Sequence, residues 1–418
     1  EWLGAPTEQL VSDERTLGGL VRSVKEPYKV SPRARRLAYE YTALESTSRS
    51  QVCTLPAGSA IALRAEVGGL PAEEDLGLGI GATLVGVSTD GDAVSATVQS
   101  TDEPPHEISV LPDEYVNPEP IPSAVRAVSR ALLDSAGGGG CSAIGQLLSR
   151  TPPRALAEAR SASSSGNEAE LVVDAVLRLD GSYMCVQGPP GTGKTYVGAR
   201  AIAALVSRGD RVGVLANSHA AATNLMAAAV RELGAAGARA QVMKIGGSDD
   251  HKERLRGLCA VADELSFHHI GSASALKSKS GGLDDDVRLL GGTPWAFSSD
   301  VLESAVDTLV VDEAGQLPFA ALVGASRAAR NLVLLGDPMQ LPAPSEGAHP
   351  PEGALSSLGY LLQDAATVPP ELGIFLPVTY RMHPELCRIV SELVYEGRLV
   401  SHETTAQRVL ALARRPRT

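Results

Sequence analysis

The stretch Gln187-Gly188-Pro189-Pro190-Gly191-Thr192-Gly193-Lys194-Thr195 fits the pattern G-x-x-x-x-G-K-[ST], and its flanks restrict the folds that can carry it. Ser182 to Val186 reads as a short buried strand, and Tyr196 to Ser207 has helical composition interrupted at Gly198. A glycine-rich turn from strand to helix lets backbone N–H groups converge on a phosphate at the positive end of the helix. In that reading Gly188, Pro189, Pro190, Gly191, Thr192 and Gly193 shape the cradle and Lys194 reaches the β- and γ-phosphates. The Thr195 hydroxyl then serves Mg²⁺, which takes few protein ligands. The bland reading is a Gly-rich turn with an exposed lysine.

Apolar runs of strand length recur downstream: Met184 to Val186, Val212 to Ala216, Thr308 to Val311 and Leu332 to Leu335. Uninterrupted runs of this kind, alternating with helical segments, predict an α/β domain whose parallel sheet is buried on both faces. Glu168 marks its start. Upstream, Gln51 to Leu111 reads as short β-type runs, with a hairpin at Thr83 to Thr89, Asp90-Gly91 and Asp92 to Val98. A small barrel or sandwich fits that segment. The expected organisation is a polar, extended segment at 1–50, a β-rich module at 51–120, a helical and flexible connector at 121–167, the ATPase-type domain at 168–345, and the start of a further domain at 346–418. Four prolines from Pro112 to Pro122 stiffen the connector's entry; Gly137 to Gly140 and Ser161 to Gly166 break its helices.

Composition narrows the class. With 37 basic and 49 acidic residues the net charge is −12, which argues against wholesale wrapping of nucleic acid and leaves room for a local basic groove. Arg33, Arg35 and Arg36 read as a solvated face ahead of a phosphate contact. Cysteines at 53, 141, 185, 259 and 387 lack metal spacing and read as reduced thiols, and His268 and His269 as surface residues. No apolar run reaches membrane-span length and no signal peptide opens the chain, so a soluble, cytoplasmic protein without a membrane partner is expected.

The ends of the other strands say what a nucleotide would be used for. Thr308 to Val311 runs into Asp312-Glu313-Ala314-Gly315-Gln316: Asp312 suits Mg²⁺ and Glu313 can orient and deprotonate an attacking water. Helix-start charge is the competing explanation for such a pair. Leu332 to Leu335 delivers Gly336-Asp337-Pro338-Met339-Gln340-Leu341-Pro342, where the uncharged Gln340 can sense a γ-phosphate without repelling it. Thr379-Tyr380-Arg381-Met382-His383-Pro384 sets an aromatic ring beside a guanidinium, suited to a base and a phosphoryl oxygen, or else is a strand-to-helix turn with a surface arginine.

Together, Gly188 to Thr195, Val311 to Pro318, Leu334 to Pro342 and Thr379 to Pro384 resemble motifs I to IV of superfamily 1 helicases, in forms similar to the up-frameshift-like 1B branch. Gly291-Gly292-Thr293-Pro294-Trp295, Leu334 to Pro350 and Tyr395-Glu396-Gly397-Arg398-Leu399 are further similar to the helicase half of bacterial proteins that fuse a RecB-like nuclease to such a helicase. The resemblance implies a RecA-like P-loop NTPase domain using ATP and Mg²⁺. It implies catalytic roles for Lys194, Asp312, Glu313, Gln340 and Arg381, with Thr195 and Asp312 on the metal and Tyr380 stacked on adenine. Single-stranded nucleic acid, DNA ahead of RNA, is the implied partner. Asn217-Ser218-His219 and Thr293 are its implied contacts, with a plain helix cap at Asn217 or Ser218 an equal reading. Trp295 is read as core packing ahead of base stacking. Three departures stand out: Glu170 occupies the place of the usual adenine-reading Gln, only 37 residues follow Arg381, so motifs V and VI are missing, and no nuclease motif precedes residue 20. The chain is therefore expected to be a piece of something longer, with a truncated, non-unwinding binding fragment as the alternative function and slow hydrolysis by the chain alone.

Overall fold

The structure is a computed structural model that describes residues 7–32, 34–43, 51, 53–67, 70–71, 80–90, 93–113, 117–135, 142–162, 166–279, 283–341, 353 and 355–408. The hairpin turn Gly91-Asp92, the Gly137 to Gly140 break, Arg33, Cys141 and Pro342 to Pro350 lie outside these residues. The chain divides into two compact units, Glu1–Asn117 and Pro118–Thr418.

The first unit opens with α1 (Thr7–Ser12), followed by β1 (Leu17–Arg22), β2 (Leu37–Ala43), β3 (Ala60–Val67), β4 (Leu70–Pro71), β5 (Ile80–Asp90), β6 (Ala93–Ser100) and β7 (Glu107–Pro112). The antiparallel ladder runs β3-β5-β6-β2-β1-β7, and β7 pairs back onto β3, closing a six-stranded barrel with β4 appended to β3. Closure removes the exposed sheet edges that an open small sheet would present. Alternation fills the interior: Val94, Ala96 and Val98 of β6 point inward with Leu17, Leu20, Tyr41, Leu63, Leu84 and Val110. On the other face of β3, Arg64 and Glu66 are an ion pair at 2.6 Å, each side chain 1% exposed; Thr7 Oγ1 donates to Glu66 Oε1 at 3.0 Å, as does the Ser109 hydroxyl. The barrel begins at Leu17, well before the expected boundary at 51. Two glycines in β1 and the polar stretches around β2 mask a strand pattern that pairing with β6 and β7 makes whole.

The second unit starts with four helices, α2 (Ile121–Ser135), α3 (Ala143–Leu148), α4 (Arg154–Ala162) and α5 (Glu168–Leu177). Strands and helices then alternate: β8 (Tyr183–Gln187), α6 (Lys194–Arg208), β9 (Val212–Leu215), α7 (His219–Ala235), β10 (Ala240–Ile245), α8 (Asp249–Ala260), β11 (Leu265–Ile270), α9 (Ser274–Lys279), β12 (Val287–Gly292), α10 (Pro294–Phe297), β13 (Val306–Val311), α11 (Phe319–Ser326), β14 (Ala329–Gly336), α12 (Ser357–Leu362) and β15 (Gly373–Phe375). The eight strands form one parallel sheet in the order β11-β10-β12-β9-β13-β14-β8-β15. Helices cover both faces. Leu309, Val311, Leu332 and Leu334 meet α11 and α12 residues such as Leu322 and Leu358; Val310 and Val333 meet α6 and α7 residues such as Ile202, Leu225 and Val230. Each such buried aliphatic side chain contributes on the order of 1.5–3 kcal/mol. This is the RecA-like P-loop fold, preceded by a β-barrel.

Strand order positions the site. The chain leaves β8 and returns as β9 three places away, and β13 and β14 fill the gap. The loops after β8, β14 and β13 therefore stand in a row at the carboxyl edge, where such sheets bind ligands. β15 joins this same sheet beside β8, so the expected boundary at 345 falls too early: the sheet extends through Phe375. A second, two-stranded parallel sheet follows, β16 (Val378–Thr379) with β17 (Val400–Ser401), joined through α13 (Pro384–Val394).

Candidate nucleotide site and strand-end cleft

The loop after β8 is held by its own carbonyls. Thr192 N and Oγ1 both donate to Pro189 O (3.2 and 2.8 Å), and Lys194 Nζ donates to Gly188 O at 2.6 Å. Gly191 and Gly193 have φ of 82° and 86°, a conformation that glycine adopts without the Cβ penalty. Gly193 caps α6 without a side chain, so the N–H groups of the first turn are left for a ligand, and Thr195 is exposed there. Pro189 and Pro190 have no N–H to offer and contribute shape alone.

Asp312 and Glu313 follow β13. Asp312 is 6% exposed, and burial first, then the neighbouring Glu313, raise its carboxyl to about 6; Lys194 pulls in the opposite direction. A buried carboxylate disfavoured by desolvation suits a cation partner. Glu313 is half-buried at φ 53°, a left-handed conformation rare for its type, held by its N–H on Asp312 Oδ1 (3.0 Å) and by Ala314 N on Leu335 O (2.9 Å). A hydroxyl such as that of Thr195 and a carboxylate such as that of Asp312 are donor types that suit Mg²⁺, which retains phosphate oxygens and waters as its other ligands.

After β14, the buried Asp337 organises the third loop. It accepts from Tyr395 Oη (2.7 Å), Met339 N (3.2 Å), Gln340 Nε2 (3.3 Å) and Gln187 Nε2 (3.4 Å). Gln340 is in this way tied to the strand that carries the phosphate loop. Asp337, Gln187 and Tyr395 were absent from the sequence-based residue set; the signal was an acidic residue within Gly336-Asp337-Pro338, directly after an apolar run.

Thr379, Tyr380 and Arg381 pack onto the phosphate loop itself. Thr379 Oγ1 donates to Pro190 O and Tyr380 N to Gly191 O, both at 2.9 Å. A Cβ on Gly191 would stand 2.3 Å from Arg381 Cβ. Arg381 is exposed, and Arg408 Nη1 donates to its carbonyl. Tyr380 is 53% exposed, with the His402 ring 4.5 Å away. Glu170 is exposed in the first turn of α5 and accepts from Asn167 Nδ2 at 3.2 Å.

The rest of the carboxyl edge forms a cleft of about 470 Å³ lined by residues that include His219, Gly246, Ser272, Thr293, Trp295 and Ser299. Of the expected strand contacts, His219 and Thr293 meet here. Ser218 caps α7 through Ala221 N (3.1 Å), and Asn217 is exposed beside it. Trp295 is 37% exposed on the cleft wall, against the expected core packing: Pro294, Ala296 and Phe297 take the buried face of α10 and leave the indole on the cleft side. His268 is exposed on the edge strand β11, and His269 reaches Gly246 O at 3.3 Å. Cys53, Cys185, Cys259 and Cys387 are free thiols, and no cluster of metal-ligating residues occurs among the described residues. No helix among them is long and apolar enough to cross a membrane.

A parallel sheet with a glycine phosphate loop, an acidic pair two strands over and a glutamine loop between them defines a P-loop NTPase. Residues 167–350 match the family described as an AAA domain. The DNA replication ATP-dependent helicase/nuclease JHS1 of Arabidopsis thaliana is 28% identical over 257 residues, 61% of this chain and 18% of that protein. The DNA replication ATP-dependent helicase/nuclease dna2 of Schizosaccharomyces pombe is 25% identical over 232 residues, 55% of this chain and 16% of that protein. The ATP-dependent helicase NAM7 of Saccharomyces cerevisiae is 30% identical over 285 residues, 61% and 27% respectively. The chain thus spans between 16% and 27% of the length of these relatives. Over these stretches the chain is similar to ATP-dependent helicases.

Proposed function

We propose that this chain is the ATP-binding half of a helicase or translocase that couples ATP hydrolysis to movement along single-stranded nucleic acid, DNA in preference to RNA. The observation that carries this reading is the contact of Thr379, Tyr380 and Arg381 with Pro190 and Gly191: a chain segment leading away from the sheet is bonded to the phosphate loop itself. Nucleotide occupancy is thereby linked to the position of whatever that segment carries. Two relatives bear the printed description of DNA replication helicase/nucleases, which supports DNA and a fused nuclease as the wider context.

Gly188 to Gly193 cradle the phosphates, Lys194 holds the β- and γ-phosphates, and Tyr380 offers its exposed face to adenine. Thr195 and Asp312 would hold Mg²⁺, which would supply neutralisation of phosphate charge. Glu313 orients a water in line with the γ-phosphate and accepts its proton, Gln340 reports the γ-phosphate to the loop after β14, and Arg381 neutralises charge on the outer oxygens. Asn217, Ser218, His219 and Thr293 contact the strand at the neighbouring cleft. The test is titration of the 418-residue chain with a fluorescent ATP analogue and with a labelled deoxythymidine oligonucleotide. Saturable binding of both is expected, with Lys194→Ala removing nucleotide binding alone. Phosphoryl transfer to a small-molecule acceptor, indifferent to the oligonucleotide, would replace this reading with that of a P-loop kinase.

A further inference from the structure

Lys244 lies on β10, in the middle of the apolar run Val242-Met243-Lys244-Ile245, and is 0% exposed. A lone ammonium is costly to bury, and this one is fully bonded. Its Nζ stands 2.9 Å from Ile245 O, 3.4 Å from Gly246 O and 2.9 Å from His219 Nδ1. An ammonium has three N–H donors and no acceptor, so these three acceptors are the complement of a protonated lysine. His219 Nδ1 must then accept, and the ring proton resides on Nε2. The ring lies against Gly246, where an added Cβ would stand 3.1 Å from His219 Nε2, and both residues line the cleft beyond β9, β10 and β12.

We infer that Lys244 is a positioning residue: it locks His219 in the tautomer that presents an Nε2–H donor to an anionic or carbonyl oxygen of a strand lying in the cleft. The inference rests on the reading of that cleft as a nucleic-acid site. Protonating His219 would place a second cation beside Lys244, so the imidazole stays neutral; burial first and then Lys244, His251 and His269 lower it to about 4. Lys244 itself is lowered to about 8 by burial and remains charged at neutral pH. The groups facing this pair are His251 on α8, 6.4 Å from the His219 ring, and His269 on β11, with Lys252 and Asp249 of α8 beside His269. Among the described residues no carboxylate bonds either member, so none of them competes with His219 for Lys244. The arrangement is a neutral, oriented hydrogen-bond donor backed by a buried positive charge, which a phosphate oxygen would feel at short range in a medium of low dielectric. A solvent-exposed lysine would supply charge without fixing any donor.

The experiment uses the 418-residue chain labelled with ¹⁵N-histidine. Two-bond ¹⁵N–¹H correlations, assigned by the loss of one set in His219→Ala, are expected to show a neutral Nε2–H imidazole that does not titrate between pH 7 and 5.5. An Nδ1–H tautomer or titration at the ordinary histidine pH overturns the inference. In Lys244→Met the tautomer preference should collapse, and affinity for a deoxythymidine oligonucleotide should fall about tenfold, one charge-assisted hydrogen bond's worth. In a His219→Ala background the same Lys244→Met change should cost less than threefold, since its effect runs through His219. Equal losses in both backgrounds would make Lys244 merely structural. An oligonucleotide that fails to bind the parent chain refutes the nucleic-acid reading, and the imidazole spectrum still decides the Lys244 relation.

Discussion

Replacing Tyr395 by Phe removes one oxygen atom from the hub that holds Gln340 in place. Tyr395 is 3% exposed and Asp337 1%, so no water reaches the gap that the hydroxyl leaves. Of the four donors on Asp337, the hydroxyl at 2.7 Å is the shortest, and the others stand at 3.2 to 3.4 Å. The Tyr395 bond is therefore the strong one. A hydrogen bond to a charged group is worth about 1.5–3 kcal/mol net, and the Phe ring keeps the tilted contact with Phe375 at 6.2 Å, so packing loss adds little. A loss of about 2 kcal/mol corresponds to a melting-temperature drop of roughly 3 °C for a unit of about three hundred residues. Differential scanning calorimetry of the parent and Tyr395→Phe measures it. Asp337→Asn supplies the control, because an amide oxygen demands less of its donors: in that background the Tyr395→Phe loss should shrink to under about 1 kcal/mol. A Tyr395→Phe chain that melts within about 1 °C of the parent would refute the claim that this bond carries the hub.

Three further outcomes are expected. Gly191→Ala imposes left-handed strain of about 1–2 kcal/mol and drives a methyl into Arg381 Cβ, so affinity for an ATP analogue in a fluorescence titration should fall at least about tenfold; unchanged affinity would refute the contact. Glu66→Ala leaves Arg64 buried without its carboxylate and should destabilise the barrel by about 3–5 kcal/mol, read as a lowered first transition in calorimetry, whereas Arg64→Met with Glu66→Leu together should cost far less. His219 has a folded-state pKa of about 4 against 6.5 unfolded, so the unfolded chain binds more protons between those values: its stabilising contribution is complete above pH 6.5 and is lost as pH falls toward 4. Melting temperatures across that window should therefore drop less steeply in His219→Gln than in the parent.

Much of the nucleotide site is written locally in the chain. Gly188 to Thr195, Asp312, Glu313 and Gln340 each stand at the end of an apolar run, and a parallel sheet can only deliver such positions to one edge. Their mutual arrangement is another matter: that β13 and β14 intercalate between β8 and β9 depends on pairing between strands far apart in the chain, such as Val311 with Leu215 and Leu332 with Tyr183, which no local pattern encodes. The same holds for β15, three residues long, whose place beside β8 comes from long-range pairing. β10 escapes a hydropathy reading because Lys244 interrupts it, and only the three acceptors at its tip explain how a lysine can sit there. In the barrel, β1 and β2 are legible only once closure supplies their neighbours.

The bonds between Thr379, Tyr380 and the phosphate loop have a mechanical consequence. A tug on the polypeptide beyond Tyr380 does not spread into the eight-stranded sheet, since the strand just upstream, Gly373–Phe375, is anchored alongside the loop's own strand. It is taken up instead by two tethers, on Pro190 O and Gly191 O, within a few bonds of the lysine that would grip the phosphate. Stress arriving from downstream is thus concentrated on the glycine-bearing turn that precedes α6. A load cell built of backbone would be wired in the same way, with its gauge placed at the single point where strain and occupancy are read together.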